Sequence, residues 1–446
     1  MKTAEPLSPS EEQHPRSRGW QWWICGLLLL ATTLNYMDRS ALYQMSVRIV
    51  RDLRLTNEQY GLLETAFNIA FGLGAVFFGF VIDRGNLRWA YALVVFGWSL
   101  VGFGTGFVTS FGLLLLCRFL LGLFESGNWP CGVLTVKRVL PPAQRSLGNG
   151  LFQSGTALGA IITPLVVLLC LAVSDPDEPR RTALQSVGGG PLVLLLPPPE
   201  FTWQLPFRVI GALGVLWVLA WLLMVRPHYV ASTPPTAGFD QDPESYWALW
   251  RNRRFLVLVL VVVAINVPWR TFVVWSPKFL QEGRGYSERA MQEFMVFYYL
   301  AADFGSISVG FVTLWLVRSG FRLHAARLWV FAACATLSLL SLVAVALPRG
   351  TALEIVLLLI GFAVLGAFPT YFALSQEVSA RHQGKVTGTL GCINAVVMAG
   401  LAPLQGWLVD VTGSFSLPLG LSGLVPLLAV AALVLFWDAD ARGEHR

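Results

Sequence analysis

Residues 146–174 read SLGNGLFQSGTALGAIITPLVVLLCLAVS, with no charged side chain anywhere in the run. About 20 mostly apolar residues cross the hydrocarbon core of a bilayer as a helix, and this stretch exceeds that. It is one of several. Residues 89–117, 328–348, 355–376, 386–409 and 411–437 are also free of charge, and other apolar runs carry one or two isolated charges. Reading outward from 146–174, the pattern predicts twelve spans: 20–42, 60–82, 89–109, 112–136, 147–173, 206–225, 255–280, 290–317, 325–347, 353–377, 385–409 and 415–437. In lipid the backbone must satisfy its own hydrogen bonds, so these are helices and not open strands. The expected fold class is an all-α membrane protein.

Composition agrees. The 446 residues are 55% hydrophobic and 13% charged, against about 25% charged in a soluble globular domain. The run from Gly19 to Met37 is too long for the apolar part of a cleavable signal, and no small-x-small site follows it, so it reads as a retained first helix. The six cysteines (Cys25, Cys117, Cys131, Cys170, Cys334, Cys392) all lie in apolar stretches without metal-ligand spacing. They read as small buried hydrophobes, and no metal or other cofactor is expected.

A polar segment with four prolines and the basic residues Arg251, Arg253 and Arg254 separates the sixth and seventh spans. The expected organisation is therefore an N-terminal tail (1–19), a six-helix bundle (20–225), a linker (226–254), a second six-helix bundle (255–437) and a C-terminal tail (438–446). With residues at span ends counted in the adjacent loop, 19 of the 32 Lys and Arg fall on the side of the two termini, 10 on the other side and 3 within spans. Basic residues concentrate in cytoplasmic loops, so both tails and the linker are expected in the cytoplasm. The same distribution explains the formal charge of +6 without nucleic acid. The fifth-to-sixth connection, 174–205, is long and irregular. Its run from Pro191 to Leu196 is too short to span, and it is expected as an outer loop.

Certain motifs narrow the class. The second span ends Gly79-Phe-Val-Ile-Asp83-Arg84, with Arg88 before the third. This resembles the G-x-x-x-D-R loop signature of the major facilitator superfamily, in which the glycine permits close helix contact and the Asp pairs with basic groups or a helix end at the cytoplasmic gate. The corresponding position after the eighth span, Arg318-Ser-Gly-Phe-Arg322, lacks the Asp. Asn35-Tyr-Met-Asp38-Arg39, the stretch from Arg118 to Pro130, and the stretch from Arg145 to Thr156 together look like the anion:cation symporter family. That family includes hexuronate, galactonate and glucarate transporters and, in animals, sialin. Trp275-Ser-Pro-Lys-Phe-Leu280 adds to the hexuronate likeness. The chain departs from it at Arg270, where hexuronate transporters tend to carry an aromatic, and at Phe71, where galactonate-type members carry tyrosine. These departures leave the particular sugar acid open.

The resemblance implies a major facilitator fold and proton-coupled symport of a small organic anion by alternating access, in a bacterial inner (plasma) membrane, as a monomer. It further implies that Tyr36 and Arg39 face the substrate and that Asp38 is a coupling carboxylate beside Glu125. The residues point the same way by their own chemistry. Asp38, Arg39, Arg118, Glu125, Arg270 and Asp303 lie well inside predicted spans, where a charge at mid-bilayer costs roughly 2.5–3.5 kcal/mol on insertion scales. Such charges need either mutual pairing or a polar cavity. Arg118 and Glu125 are seven apart and so project from nearly the same face, about 10 Å apart along the helix. Guanidinium forms a planar two-point fork with a carboxylate, which suits an anionic substrate. Burial favours the neutral form of a carboxylic acid, which suits reversible protonation. For Arg270 two roles stand open: a buried pair with Asp303 on the next helix, or a third cation in the substrate site. Gln153, Thr156 and Asn394 are candidates for sugar hydroxyls, or equally for helix–helix hydrogen bonds. Trp129 and Trp269 are candidates for lining the cavity.

Other classes fit less well. No P-loop, dinucleotide loop, HExxH or G-x-S-x-G stands in a fitting context, so no ATP-driven pump or enzyme is expected. A proton-coupled antiporter exporting drugs or metabolites is the main alternative, but Gly155-Thr-Ala-Leu-Gly159-Ala-Ile-Ile-Thr-Pro164 lacks the Gly-Pro pair typical of the fifth helix of such exporters. A non-transporting sensor on the same fold is the other.

Overall fold

The structure is a computed structural model and describes residues 18–84, 86–141, 144–174, 201–225, 250–378 and 383–437. Most of the linker and of the long fifth-to-sixth connection, with its Pro191–Leu196 run, lies outside the described residues, as do the side chains of Gly79, Asp83 and Arg84. Among the described residues there is no strand, and twelve helical rods follow one another. They are α1 (Arg18–Gln44), α2 (Asn57–Arg84), α3 (Leu87–Thr105), α4 (Phe111–Val139), α5 (Arg145–Ser174), α6 (Gln204–Met224), α7 (Arg253–Gly283), α8 (Glu288–Arg318), α9 (Leu323–Ala344), α10 (Thr351–Ser375), α11 (Gln383–Thr412) and α12 (Ser416–Phe436). Ten are long and apolar enough to cross a membrane by composition alone. The other two, α1 and α2, have 27 and 28 residues and reach as far, but they carry the polar and charged residues described below.

The rods begin where side chains can accept their orphan amides. Asn86, Ser110, Asn252 and Ser287 cap α3, α4, α7 and α8, each supplying an oxygen to an N–H that has no partner within the helix. Within α4, Ser126 and Gly127 interrupt the helix between Phe111–Glu125 and Asn128–Val139. Pro130 accounts for the break, because its ring has no N–H and clashes with the carbonyl four residues back. The interruption falls directly after Glu125.

In the first half α1 packs on α5, α2 on α4 and α3 on α6; in the second, α8 packs on α10 and α7 on α12. Indole groups tie the first half together: Trp217 Nε1 donates to the Leu27 carbonyl at 2.7 Å and Trp221 Nε1 to that of Arg88 at 2.9 Å. The halves meet chiefly where α2 lies along α11 and α5 along α8.

An even number of rods puts the start of α1 and the end of α12 on one face of the bundle, the terminal face. Polar contacts between the halves gather toward the opposite, far face. Arg48, just beyond α1, makes a forked pair with Glu288 at 2.6–2.9 Å. Asp410, near the end of α11, caps α2 across the interface by accepting from the amides of Asn57 at 3.0 Å and Glu58 at 2.8 Å. Gln292 Nε2 donates to the Gln44 carbonyl, and Thr65 to that of Ala399 at 2.6 Å. Gly61 and Gly406 let the two backbones touch: a Cβ at either would collide with the main chain of Ala402 and Pro403 or of Asn57 and Glu58. Several turns further along the same helices, Gly72 on α2 and Gly391 on α11 have nothing within 4 Å of a notional Cβ. The halves are thus sealed at the far face and part toward the terminal face, leaving a cleft between them.

Candidate functional site

At the head of this cleft, just beneath the seal, the intramembrane charges converge. Glu64, in the second turn of α2 and 1% exposed, is the hub. Its Oε1 accepts from Arg118 Nη2 of α4 at 3.0 Å, and its Oε2 from the Tyr43 hydroxyl at 3.1 Å and from Arg270 Nη2 of α7. Arg118 and Tyr43 belong to the same half as Glu64, while Arg270 comes from the other. A second pair lies beside it: Arg39 Nη2 donates to Glu125 Oε2 at 2.8 Å.

The ring of Phe67 separates the two pairs. The Arg39 guanidinium carbon lies 4.5 Å from its centroid and that of Arg118 4.9 Å, within the range of cation–π attraction. Phe71 and Tyr36 lie 5.4 and 5.8 Å from Arg39. Asp38 is buried against Gly102 of α3, with Glu125 and Arg118 as its charged neighbours.

Exposure sorts these groups. Arg39 and Arg270 keep 17% and 15% of their side chains accessible, whereas Arg118 keeps 1%. In this conformation Arg39 and Arg270 edge the cleft, and Arg118 is enclosed under Phe67 and Glu64. The i,i+7 spacing does place Arg118 and Glu125 on one side of α4, but each takes a different partner. Arg118 Nε and Nη1, Glu125 Oε1 and Asp38 Oδ1 have no hydrogen-bond partner among the described residues.

The Arg270–Asp303 pair does not form. Arg270 reaches across to Glu64, where it shares a carboxylate already held by Arg118 and Tyr43, while Asp303 stays half-buried on α8. Tyr36, half-buried, lies within electrostatic reach of Arg39, Arg270 and Asp303. The neutral polar candidates are more scattered. Thr156 donates to the Gln153 carbonyl at 2.9 Å within α5, and Gln153 is exposed. Both lie a turn or two nearer the terminal face than Gly159, which abuts Tyr36. Asn394 on α11 is half-buried, with its Oδ1 unpartnered among the described residues. Trp129 packs edge-on against Phe152 at 5.0 Å.

Sequence reasoning missed Glu64, Phe67 and Tyr43. Glu64 had a legible signal, since it is an acid inside the second predicted span. Phe67 and Tyr43 had none, because aromatics are ordinary in such spans.

A two-bundle helical fold with a charged site at the head of a central cleft defines a membrane carrier rather than an enzyme. The Major Facilitator Superfamily model matches residues 28–403, and the chain belongs to that superfamily of transporters. It is 27% identical to the hexuronate transporter of Bacillus subtilis (strain 168), over 92% of this chain and 93% of that one. It is 26% identical to a probable L-galactonate transporter of Escherichia coli (strain K12), over 92% of this chain and 87% of that one. In fold it matches a bacterial homologue of the human lysosomal transporter Spinster, solved in an inward-facing and unoccupied conformation. That match has a TM-score of 0.80 at 19% identity and covers 93% of this chain and 96% of the other.

Proposed function

We propose that the protein is a secondary active transporter carrying a small organic anion, a sugar acid of the hexuronate or aldonate class, in symport with protons by alternating access. The observation that carries this is the charge balance at the head of the cleft. Three guanidinium groups, of Arg39, Arg118 and Arg270, meet three carboxylates, of Asp38, Glu64 and Glu125. An anion entering so balanced a site must displace one of these carboxylates, and an unpaired carboxylate in a poorly hydrated site is costly. A proton on the displaced group removes that cost. Glu125 is the natural acceptor. It is bound to Arg39, the arginine most open to the cleft, and protonation frees that guanidinium for a two-point grip on the substrate.

In this reading Asp38 is a second proton site, and Tyr36, Arg39, Arg118 and Arg270 bind the anion. Gln153, Thr156 and Asn394 meet the hydroxyls as the halves close over it, and Gly79, Asp83 and Arg84 form the gate on the terminal side. Both termini lie in the cytoplasm of a bacterial cell, so the cleft opens inward across the plasma membrane, and a single chain suffices. The names of the relatives, which are transporters of sugar acids, support the substrate class.

Thermal unfolding of the purified protein tests the substrate class directly. A ligand present at 100 times its Kd stabilises the folded state by about 2.7 kcal/mol. Hexuronates and aldonates should raise the midpoint, and neutral sugars and cationic drugs should not. A response confined to cationic drugs would favour the exporter reading instead.

A further inference from the structure

Glu64 enters the charge balance above but is not one of its proton sites, and it lies just beneath the seal, held by donors from both halves. We infer that Glu64 is a positioning residue: it occupies Arg270 while the far face is shut and surrenders it when the far face opens, so that Arg270 meets the anion only from the far side. The inference rests on the anion-transport reading and deepens it.

The geometry is asymmetric. Arg118 and Tyr43 anchor Glu64 from within its own half, at 3.0 and 3.1 Å. Arg270 is the visitor, carried by α7 of the other half. Next to Glu64 in the chain, Thr65 of α2 donates to the Ala399 carbonyl of α11, and beyond that Gly61 and Gly406 bring the two backbones together. Opening the far face has to pull these helices apart. Glu64 then stays with Arg118 and Tyr43, and Arg270 leaves alone. Tyr43, whose ring lies 5.9 Å from the Arg270 guanidinium, stays behind with the first half. On its own half Arg270 forms no ion pair with Asp303 among the described residues. A guanidinium stripped of its partner at the head of an outward cleft is a receptor for a carboxylate. When the far face shuts again, Glu64 returns to the same nitrogen and competes with the bound anion. Affinity is thereby lowered on the side where the cargo must leave. A carrier that switches sides needs such a differential contact, since a ligand held equally in both states shifts neither.

The test uses the full-length protein in detergent and a native reporter. Cys392 is exposed and lies two turns from Ala399 along the α11 stripe that faces α2, so its reaction with N-ethylmaleimide, read by peptide mass, reports the terminal cleft. Without any ligand, Arg270→Gln and Glu64→Gln should each slow Cys392 labelling at least threefold as the far-sealed state loses its cross-half pair. Rates equal to the parent protein in Arg270→Gln would overturn the inference. That variant leaves Glu64 with Arg118 and Tyr43, so it decides the matter even if Glu64→Gln fails to fold. D-Galactonate and D-glucuronate should alter Cys392 labelling in the parent protein. Arg270→Gln should raise the concentration needed at least tenfold, with Arg270→Lys recovering part of the loss; no change in that concentration would also count against the role of Arg270. If neither sugar acid affects the parent protein, the proposed substrate class fails, while the ligand-free comparison still decides whether Glu64 holds Arg270.

Discussion

Arg39 and Glu125 stand 2.8 Å apart at the edge of the cleft, and the chemistry proposed for the protein passes through that contact. Glu125→Gln mimics the protonated acid, so it should retain anion binding and exchange while losing accumulation driven by a pH gradient. Arg39→Ala should lose binding and exchange together, since Arg118, the other first-half guanidinium of the cluster, is enclosed. Phe67 supports both pairs by facing two guanidinium groups with one ring. Cation–π contacts are worth about 0.5–2 kcal/mol, so Phe67→Leu should weaken anion binding severalfold without abolishing it, measured by ligand-dependent thermal shift. Several of these residues are legible in the sequence: Arg39, Arg118, Glu125 and Arg270 stand out as charges in apolar runs. Their partners are not. Glu64 and Arg270 are 206 positions apart, and the spacing that pairs residues along one helix says nothing about contacts between halves. Sequence adjacency of α7 and α8 suggests Asp303 for Arg270, but Glu64, with two donors on its own half, draws in Arg270 as the third.

Among the helices, α2 and α11 form the seam that shuts the far face. Asp410 accepts from two amides at the start of α2, a capping contact of about 1 kcal/mol that exists only while the halves touch there. Asp410→Ala should therefore shift the balance of far-closed to far-open forms by about fivefold, visible as slower modification of Cys392. Gly406→Leu should act more strongly, because the added side chain would collide with the backbone of Asn57 and Glu58. The existence of the twelve helices is readable from apolar runs with few or no charges, because lipid permits little else. The break in α4 after Glu125 is not, although Pro130 is plain in the sequence. Within a membrane span a proline is tolerated or disruptive according to how the freed carbonyl is satisfied, and that depends on packing.

For the whole molecule, the proposed symport faces one physical task. Entry of a monovalent anion into a negative-inside cell costs about 2.3 kcal/mol per 100 mV. One proton cancels the charge, and a second makes entry favourable. In the proposed transport cycle, the seal at the far face and the cleft at the terminal face make up one of the two states that alternating access requires, and the balanced charge cluster lies where the two would exchange. The superfamily is legible from Gly79, Asp83 and Arg84 placed after the second of twelve spans. The state of the cleft is not, because both states share one sequence and differ only in which contacts between the halves are made.

Accumulation in proteoliposomes tests the central claim most directly. Vesicles containing the purified protein receive an inward proton gradient, and uptake of radiolabelled D-galactonate and D-glucuronate is followed against their own gradients. The account predicts uphill uptake of at least one of them, abolished by a protonophore and absent in Glu125→Gln, which still exchanges labelled for unlabelled anion. Uphill uptake that survives Glu125→Gln at the level of the parent protein, or that ignores the protonophore, would contradict it.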